Sequence, residues 1–264
     1  MCLPISSTAQ KGFKSKFYGQ RHISFEIIAA NGLVNYYTAV PIALVSIIEQ
    51  AVISAYPTAR LEEVEEHNIF SPVGKLSGTV GGELVLKEDY AFPIATYQDL
   101  KRDAMQSLLY AFSTLTHDDG ASVQILLRPA VKSWTSKAVG VAQKKKKDKG
   151  KKKGAALMGS YAAQIISAPL KAPESTDEKK PEDKQLSSLE QSVVDAIEEK
   201  TRHPGYEVLI RLVFSSNTSQ RAQTVLNNMK ASFSLFDAPG KNGFKFVPAK
   251  DMESFVTSYI LRFF

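Results

Sequence analysis

The sequence predicts an α+β protein: a mixed or antiparallel sheet with helices on one face, assembled from repeated ferredoxin-like strand–helix–strand modules. Three observations predict it. Residues 22–40 alternate as strands do, with Ile23, Phe25 and Ile27 on one side and the turn pair Asn31-Gly32 before a return strand Leu33 to Val40. Residues 83–128 run strand, helix, strand, and residues 206–247 repeat that order. Between these units the chain changes character: Lys132 to Lys153 holds ten lysines (132, 137, 144 to 147, 149 and 151 to 153) against the one acid Asp148. Like charge at that density repels itself, which predicts a disordered lysine-rich linker.

These features divide the 264 residues into a flexible lead-in at 1–20, an α+β module at 21–130, a basic low-complexity linker at 131–185, and a helix plus strand–helix–strand module at 186–264 that packs with the first. A hydrophobic share of 44% and a charged share of 23% are those of an ordinary globular chain, so the fold rests on a conventional core. Cys2 is the single cysteine, which excludes an intrachain disulfide and any multi-cysteine metal site.

In chain order, Asn31-Gly32 suits a type I′ turn because both of its central residues need positive φ. Tyr36, Tyr37 and Thr38 fit a pleated, half-buried strand. Pro41 suits the first turn of a helix, and Leu44, Ile47, Ile48, Ala51, Val52 and Ala55 recur every three or four residues as its apolar stripe. Pro57 ends that helix, and residues 58–70 read as a strand. Ser71 to Gly82 reads as a glycine-rich connector; it matches no phosphate-binding loop. Strand Glu83 to Lys87 leads to a helix whose start resembles a capping box at Thr96 and Asp99, with Leu100, Ala104, Leu108, Leu109, Phe112 and Leu115 as its apolar face. Ala121 to Arg128 alternates as a strand that Pro129 stops.

After the linker, Leu189, Val193, Val194 and Ile197 mark a short amphipathic helix. Tyr206 to Phe214 is a strand with Val208, Ile210, Leu212 and Phe214 on one side. Ser219 to Leu235 is a helix striped by Ala222, Val225, Leu226, Met229 and Phe233, and Phe244 to Val247 is a strand. Met252, Phe255, Val256 and Tyr259 fit a helix; the end of the chain fits either helix or strand. Free termini are usually polar, so the apolar run Tyr259 to Phe264 reads as a chain cut inside a larger fold.

Candidate chemistry is sparse. Glu62, Glu63, Glu65, Glu66 and His67 carry oxygen donors that hard cations favour. In an extended chain those carboxylates alternate between faces, and the reading as charges guarding an edge strand is preferred. His22, His67, His117 and His203 each stand alone, without ligand spacing or a neighbouring nucleophile. Arg128 and Arg211 sit late in two strands, as structural arginines or as readers of phosphate or carboxylate. No catalytic, cofactor-binding or metal-ligating residue is assigned, and a non-enzyme is expected. The assigned contacts are Lys144, Lys145, Lys146, Lys147, Lys149, Lys151, Lys152 and Lys153, positioned to meet nucleic-acid phosphates or an anionic lipid surface. A formal charge of +6 agrees with either anionic partner.

The segments at 36–70, SVQILLRPA at 122–130, LSSLEQSVVDAIEEKTRHPGYEVLIRLVFSS at 186–216 and FDAPGKNGFKFVPAKD at 236–251 together resemble the N-terminal accessory region that precedes the motor in bacterial conjugative DNA-transfer ATPases of the type IV secretion class, coupling-protein-like or TraG/HerA-like. A basic linker stands between the second and third of those segments in that family, as it does here. The resemblance implies a protein that serves DNA pumping at the inner membrane. The P-loop motor is missing from this sequence, which has no Walker A lysine, so no catalytic residue carries over. The implied role is a non-catalytic accessory or docking domain, cytoplasmic and peripheral to the inner membrane. Its partners would be the ATPase motor domain or other secretion-system proteins, with DNA or the membrane surface as further contacts. The alternative is a stand-alone basic adaptor that binds nucleic acid or membrane through its lysines.

Overall fold

The computed structural model describes residues 21–64, 69–70, 78–96, 98–100, 103–131, 133–143, 188–237 and 241–264. Its strands are β1 (Ile23–Ala30), β2 (Leu33–Ala39), β3 (Thr79–Leu86), β4 (Gly120–Pro129), β5 (Tyr206–Ser215) and β6 (Phe244–Pro248). Its helices are α1 (Val45–Ala55), α2 (Ala104–Ser113), α3 (133–143), α4 (Ser188–Thr201), α5 (Ser219–Ser232) and α6 (Met252–Ile260). The six strands form one sheet in the order β2-β1-β4-β5-β3-β6, with every neighbouring pair antiparallel.

The hairpin is the expected one. Asn31 and Gly32 take φ of 53° and 74°, and Ala30 pairs with Leu33 across a two-residue loop. The remaining topology explains why the two strand–helix–strand units look alike. β5 inserts between β4 and β3, and β6 lies outside β3, so β3–α2–β4 and β5–α5–β6 interleave into one ferredoxin-like unit. α3, α4 and residues 144–187 stand between β4 and β5, within the connection that would otherwise be that unit's central hairpin. The β1–β2 hairpin widens the sheet beside β4.

One face of the sheet carries Ala29, Leu84, Ala121, Val123, Ile210, Leu212 and Phe214, packed under Leu108 and Phe112 of α2 and Val225, Leu226 and Met229 of α5. Strand alternation sends the next residues to the opposite face, where α6 packs Phe255 and Tyr259 onto Ile28 and Val213. The expectation of helices on one face therefore holds for α2 and α5 and needs one addition, α6. A third cluster joins α3 to α4: Ala138 and Ala142 meet Val193, Val194 and Ile197, with Ala91 beside them.

Several local expectations are corrected. Residues 59–64 of the expected strand have no ladder partners and are exposed, and 65–68 lie outside the described residues; the polar run at 59–64 supplies no apolar alternation to dock on the sheet. Gly81 and Gly82 lie inside β3 rather than in a connector, because bulkier residues would not fit there. A Cβ on Gly81 would stand 2.5 Å from Phe255 and 2.8 Å from the Leu212 carbonyl, and one on Gly82 would strike Val247 and Pro248 of β6. The Asp99 carboxylate does accept from the Thr96 N–H (2.8 Å) and hydroxyl (2.9 Å), yet the turn stops there. α2 starts later, capped by Asp103, which accepts from the Met105 N–H. Residues 133–143, assigned to the low-complexity linker, are helical because their small apolar residues match the stripe of α4. The C-terminal segment is a helix, α6, as far as Ile260, and residues 261–264 are neither helix nor strand.

Candidate docking surface

Pro41 opens a 3-10 turn (Ile42–Leu44) that runs straight into α1. Of the stripe that the sequence marks on this helix, Ile48 is buried and Leu44, Ala51 and Val52 are half-buried, while the other apolar residues of the segment stay on the surface. Ile42 is 92% exposed, Ile53 51% and Tyr56 68%, and Val45 and Ile47 are also on the surface. Among the described elements, the only extensive contact of α1 is with the turn that leads into it. From Asn31 to Thr58 the chain carries one charged residue, Glu49. A helix that exposes this much apolar area usually meets something.

The buried charged residues of the sheet, by contrast, are consumed internally. Glu26 is 2% exposed and accepts from Ser24 Oγ (2.5 Å), Gln124 Nε2 (3.0 Å), and Arg262 through Nε (2.7 Å) and Nη2 (3.2 Å). Gln124 also donates to the Tyr259 carbonyl at 2.9 Å, and its Oε1 accepts from Arg211 Nη1 at 3.1 Å. Arg211, 4% exposed, reaches Glu83 at 3.4 Å and the Ser258 carbonyl at 3.3 Å. This relay ties the end of α6 to four strands. Burial raises the pKa of the Tyr259 phenol in the same layer.

A second buried carboxylate sits where α2 hands over to β4. Asp119 accepts from Arg221 Nε (2.9 Å) and Nη2 (2.6 Å), from the Thr116 N–H and hydroxyl (both 2.8 Å), and from Ser216 Oγ (2.7 Å). Burial alone would raise its pKa; the Arg221 guanidinium and the Thr116 and Ser216 donors more than offset that and bring the carboxyl down to about 2. Arg128 pairs with Glu207 at 2.6 Å and stacks 3.9 Å from the Phe264 ring centroid. Arg128 and Arg211 are thus structural, the preferred of their two readings.

The eight lysines assigned to anion contact (Lys144 to Lys147, Lys149 and Lys151 to Lys153) lie outside the described residues, as do Glu65, Glu66 and His67. Glu62 is exposed beside Arg60 at 2.7 Å. Among the described residues no group of three or more His, Cys, Asp or Glu side chains is placed to hold a metal, and no helix is long and apolar enough to cross a membrane.

Compared with known proteins, the chain matches one family model over residues 5–262, described as Domain of unknown function (DUF8128). It belongs to this family. No curated protein and no solved structure matches it.

In this DUF8128 chain, the sequence marks the lysines as candidate contacts and gives α1 only an apolar stripe. The stripe of α1 is visible in the sequence, but the exposed apolar residues Ile42, Val45, Ile53 and Tyr56 lie beside it. The signal that was available is the charge-poor stretch from Asn31 to Thr58, with Glu49 alone in it. Glu26 and Asp119 left no such signal, since one lies in a strand and the other in a turn composition that any solvated loop shares.

Proposed function

We propose that the chain is a non-catalytic docking module of a conjugative, type IV secretion-class DNA-transfer ATPase, and that α1 is the surface that meets the motor or another secretion-system protein. The observation that carries this reading is the exposure of Ile42 in the turn before α1, Ile53 within it and Tyr56 at its end, along a helix with one buried residue. An interfacial membrane helix normally sets lysine or arginine on its polar face; α1 has neither, which favours a protein partner over lipid. The resemblance to the accessory region of those ATPases supplies the class of partner. The lysines at 144–153 serve as the contact to substrate DNA, with an anionic membrane surface as the other taker of the same charge.

The test is binding of the purified chain to the conjugative-class motor ATPase encoded with it, beside an Ile42→Glu/Ile53→Glu variant. Affinity should fall at least about tenfold in the variant, with an unchanged melting curve. Equal binding by both proteins removes α1 from the docking surface.

A further inference from the structure

We propose that the chain is a two-fold dimer in which the β2 strands of two copies pair antiparallel, joining the two sheets into one. The sheet has two edges and they are built differently. β6 is short, Phe244–Pro248, and carries Lys245 and Pro248, both of which discourage a further strand. β2 is Leu33–Ala39, LVNYYTA, with neither charge nor proline. Among the described residues nothing pairs with its outer edge, and Leu33, Val34 and Tyr36 are 65%, 38% and 61% exposed. A long, uncharged edge rich in β-branched and aromatic residues is the kind that templates another strand.

Hydrogen-bond geometry specifies the register. In a two-residue hairpin the pair flanking the turn exchanges hydrogen bonds, here Ala30 and Leu33. Every second residue of β2 therefore spends its N–H and C=O on β1: Leu33, Asn35, Tyr37 and Ala39. The backbone groups of Val34, Tyr36 and Thr38 point outward. A two-fold axis through Tyr36 sets Tyr36 opposite Tyr36 and Val34 opposite Thr38, so all of those groups pair at once, in about six new hydrogen bonds. No other antiparallel register satisfies all three residues. A second copy is also electrostatically permitted: the chain is basic overall, but β2 brings no charge to either side of the contact. This pairing uses β2 and leaves α1 free, so it stands apart from the motor contact.

Sedimentation velocity of the full chain, with Tyr36→Lys and Tyr36→Pro beside it, tests the proposal. Tyr36→Pro removes an outward-facing N–H and no N–H that β1 uses, and Tyr36→Lys adds the edge charge that β6 already has. Wild type should sediment as a dimer and each variant as a monomer with a native circular dichroism spectrum. In a Cys2→Ser background, Tyr36→Cys should oxidise to a covalent dimer, since its two Cα atoms would stand about 5.5 Å apart. Val34→Cys, displaced four positions from its own copy, should not. Monomeric wild type, or a dimer indifferent to both edge variants, overturns the proposal. So does a monomer that takes up an extended peptide on β2, because the edge would then belong to another protein. Ile42→Glu/Ile53→Glu should leave the dimer intact, so failure of the motor contact and failure of this pairing are read separately.

Discussion

At the scale of single residues, Arg262 is the least expected choice in the chain. It sits just past α6 with φ of 53°, where glycine is usual. The Phe263 N–H reaches the Ser258 carbonyl (2.9 Å) and the Arg262 N–H reaches that of Tyr259 (3.1 Å), closing a Schellman motif. An L-residue in that conformation costs about 1–2 kcal/mol, and the two-pronged grip on buried Glu26 offsets the cost. Arg262→Ala keeps the backbone strain and loses the ion pair, so it should destabilise by about 3–5 kcal/mol. Arg262→Gly loses the same pair but relieves the strain, and should recover about 1 kcal/mol of that loss in urea titrations. Asp119 gives a pH signature instead. Its folded pKa of about 2 lies below the unfolded ~3.9. It therefore adds stability fully present above pH ~4 and lost as pH falls through about 2. Asp119→Asn should flatten the acid limb of stability between those values. Asp99, held to about 2 by Lys241 and the Thr96 donors, should keep its own share in both proteins.

At the scale of elements, α6 depends on what β3 lacks. Gly81→Ala would push Phe255 off the sheet and should destabilise by about 1–3 kcal/mol, read as a lower urea midpoint at constant slope. α5 was legible in the sequence because its stripe, Ala222 to Met229, is an unbroken three-four pattern that the structure buries. The hairpin was legible because Asn31-Gly32 leaves the chain little choice. The helix at 133–143 was not: its lysine-rich neighbourhood dominated the composition, and its partner, α4, lies beyond 44 intervening residues, 144–187. The start of α2 is obscured for a different reason. Thr96 and Asp99 satisfy each other as a cap would, but local hydrogen bonding stabilises a turn as readily as a helix. The exposure of Ile42, Val45, Ile53 and Tyr56 was not legible, because these residues lie off the periodic stripe of α1 and periodicity assigns them to no face.

At the scale of the whole molecule, the chain leaves the sheet after Pro129 and comes back at Tyr206, which is its register partner. The connection starts and finishes at one corner, closed by the α3–α4 cluster. Excising residues 144–187 in favour of a short glycine–serine bridge should therefore leave a cooperative thermal transition within a few degrees of the parent. The same excision should abolish salt-dependent DNA binding if the lysines supply it. A parent that binds at low salt, with affinity falling linearly on a double-logarithmic salt plot, and an excised chain that does not, would place the contact in the tract. Unfolding of the excised chain would show that the tract supports the sheet.

That corner also sets a schedule for synthesis. β4 is made early, yet its central neighbour β5 emerges only after the whole insertion has been translated. At ~5–20 residues per second, a ribosome holds the unfinished half-sheet for roughly 5–15 s before Ile210, Leu212 and Phe214 arrive to cover β3 and β4. Through that interval Leu84, Val123 and the open flank of β4 face water, or a chaperone. The nascent protein is thus most exposed to misassociation while residues 130–205 are being made.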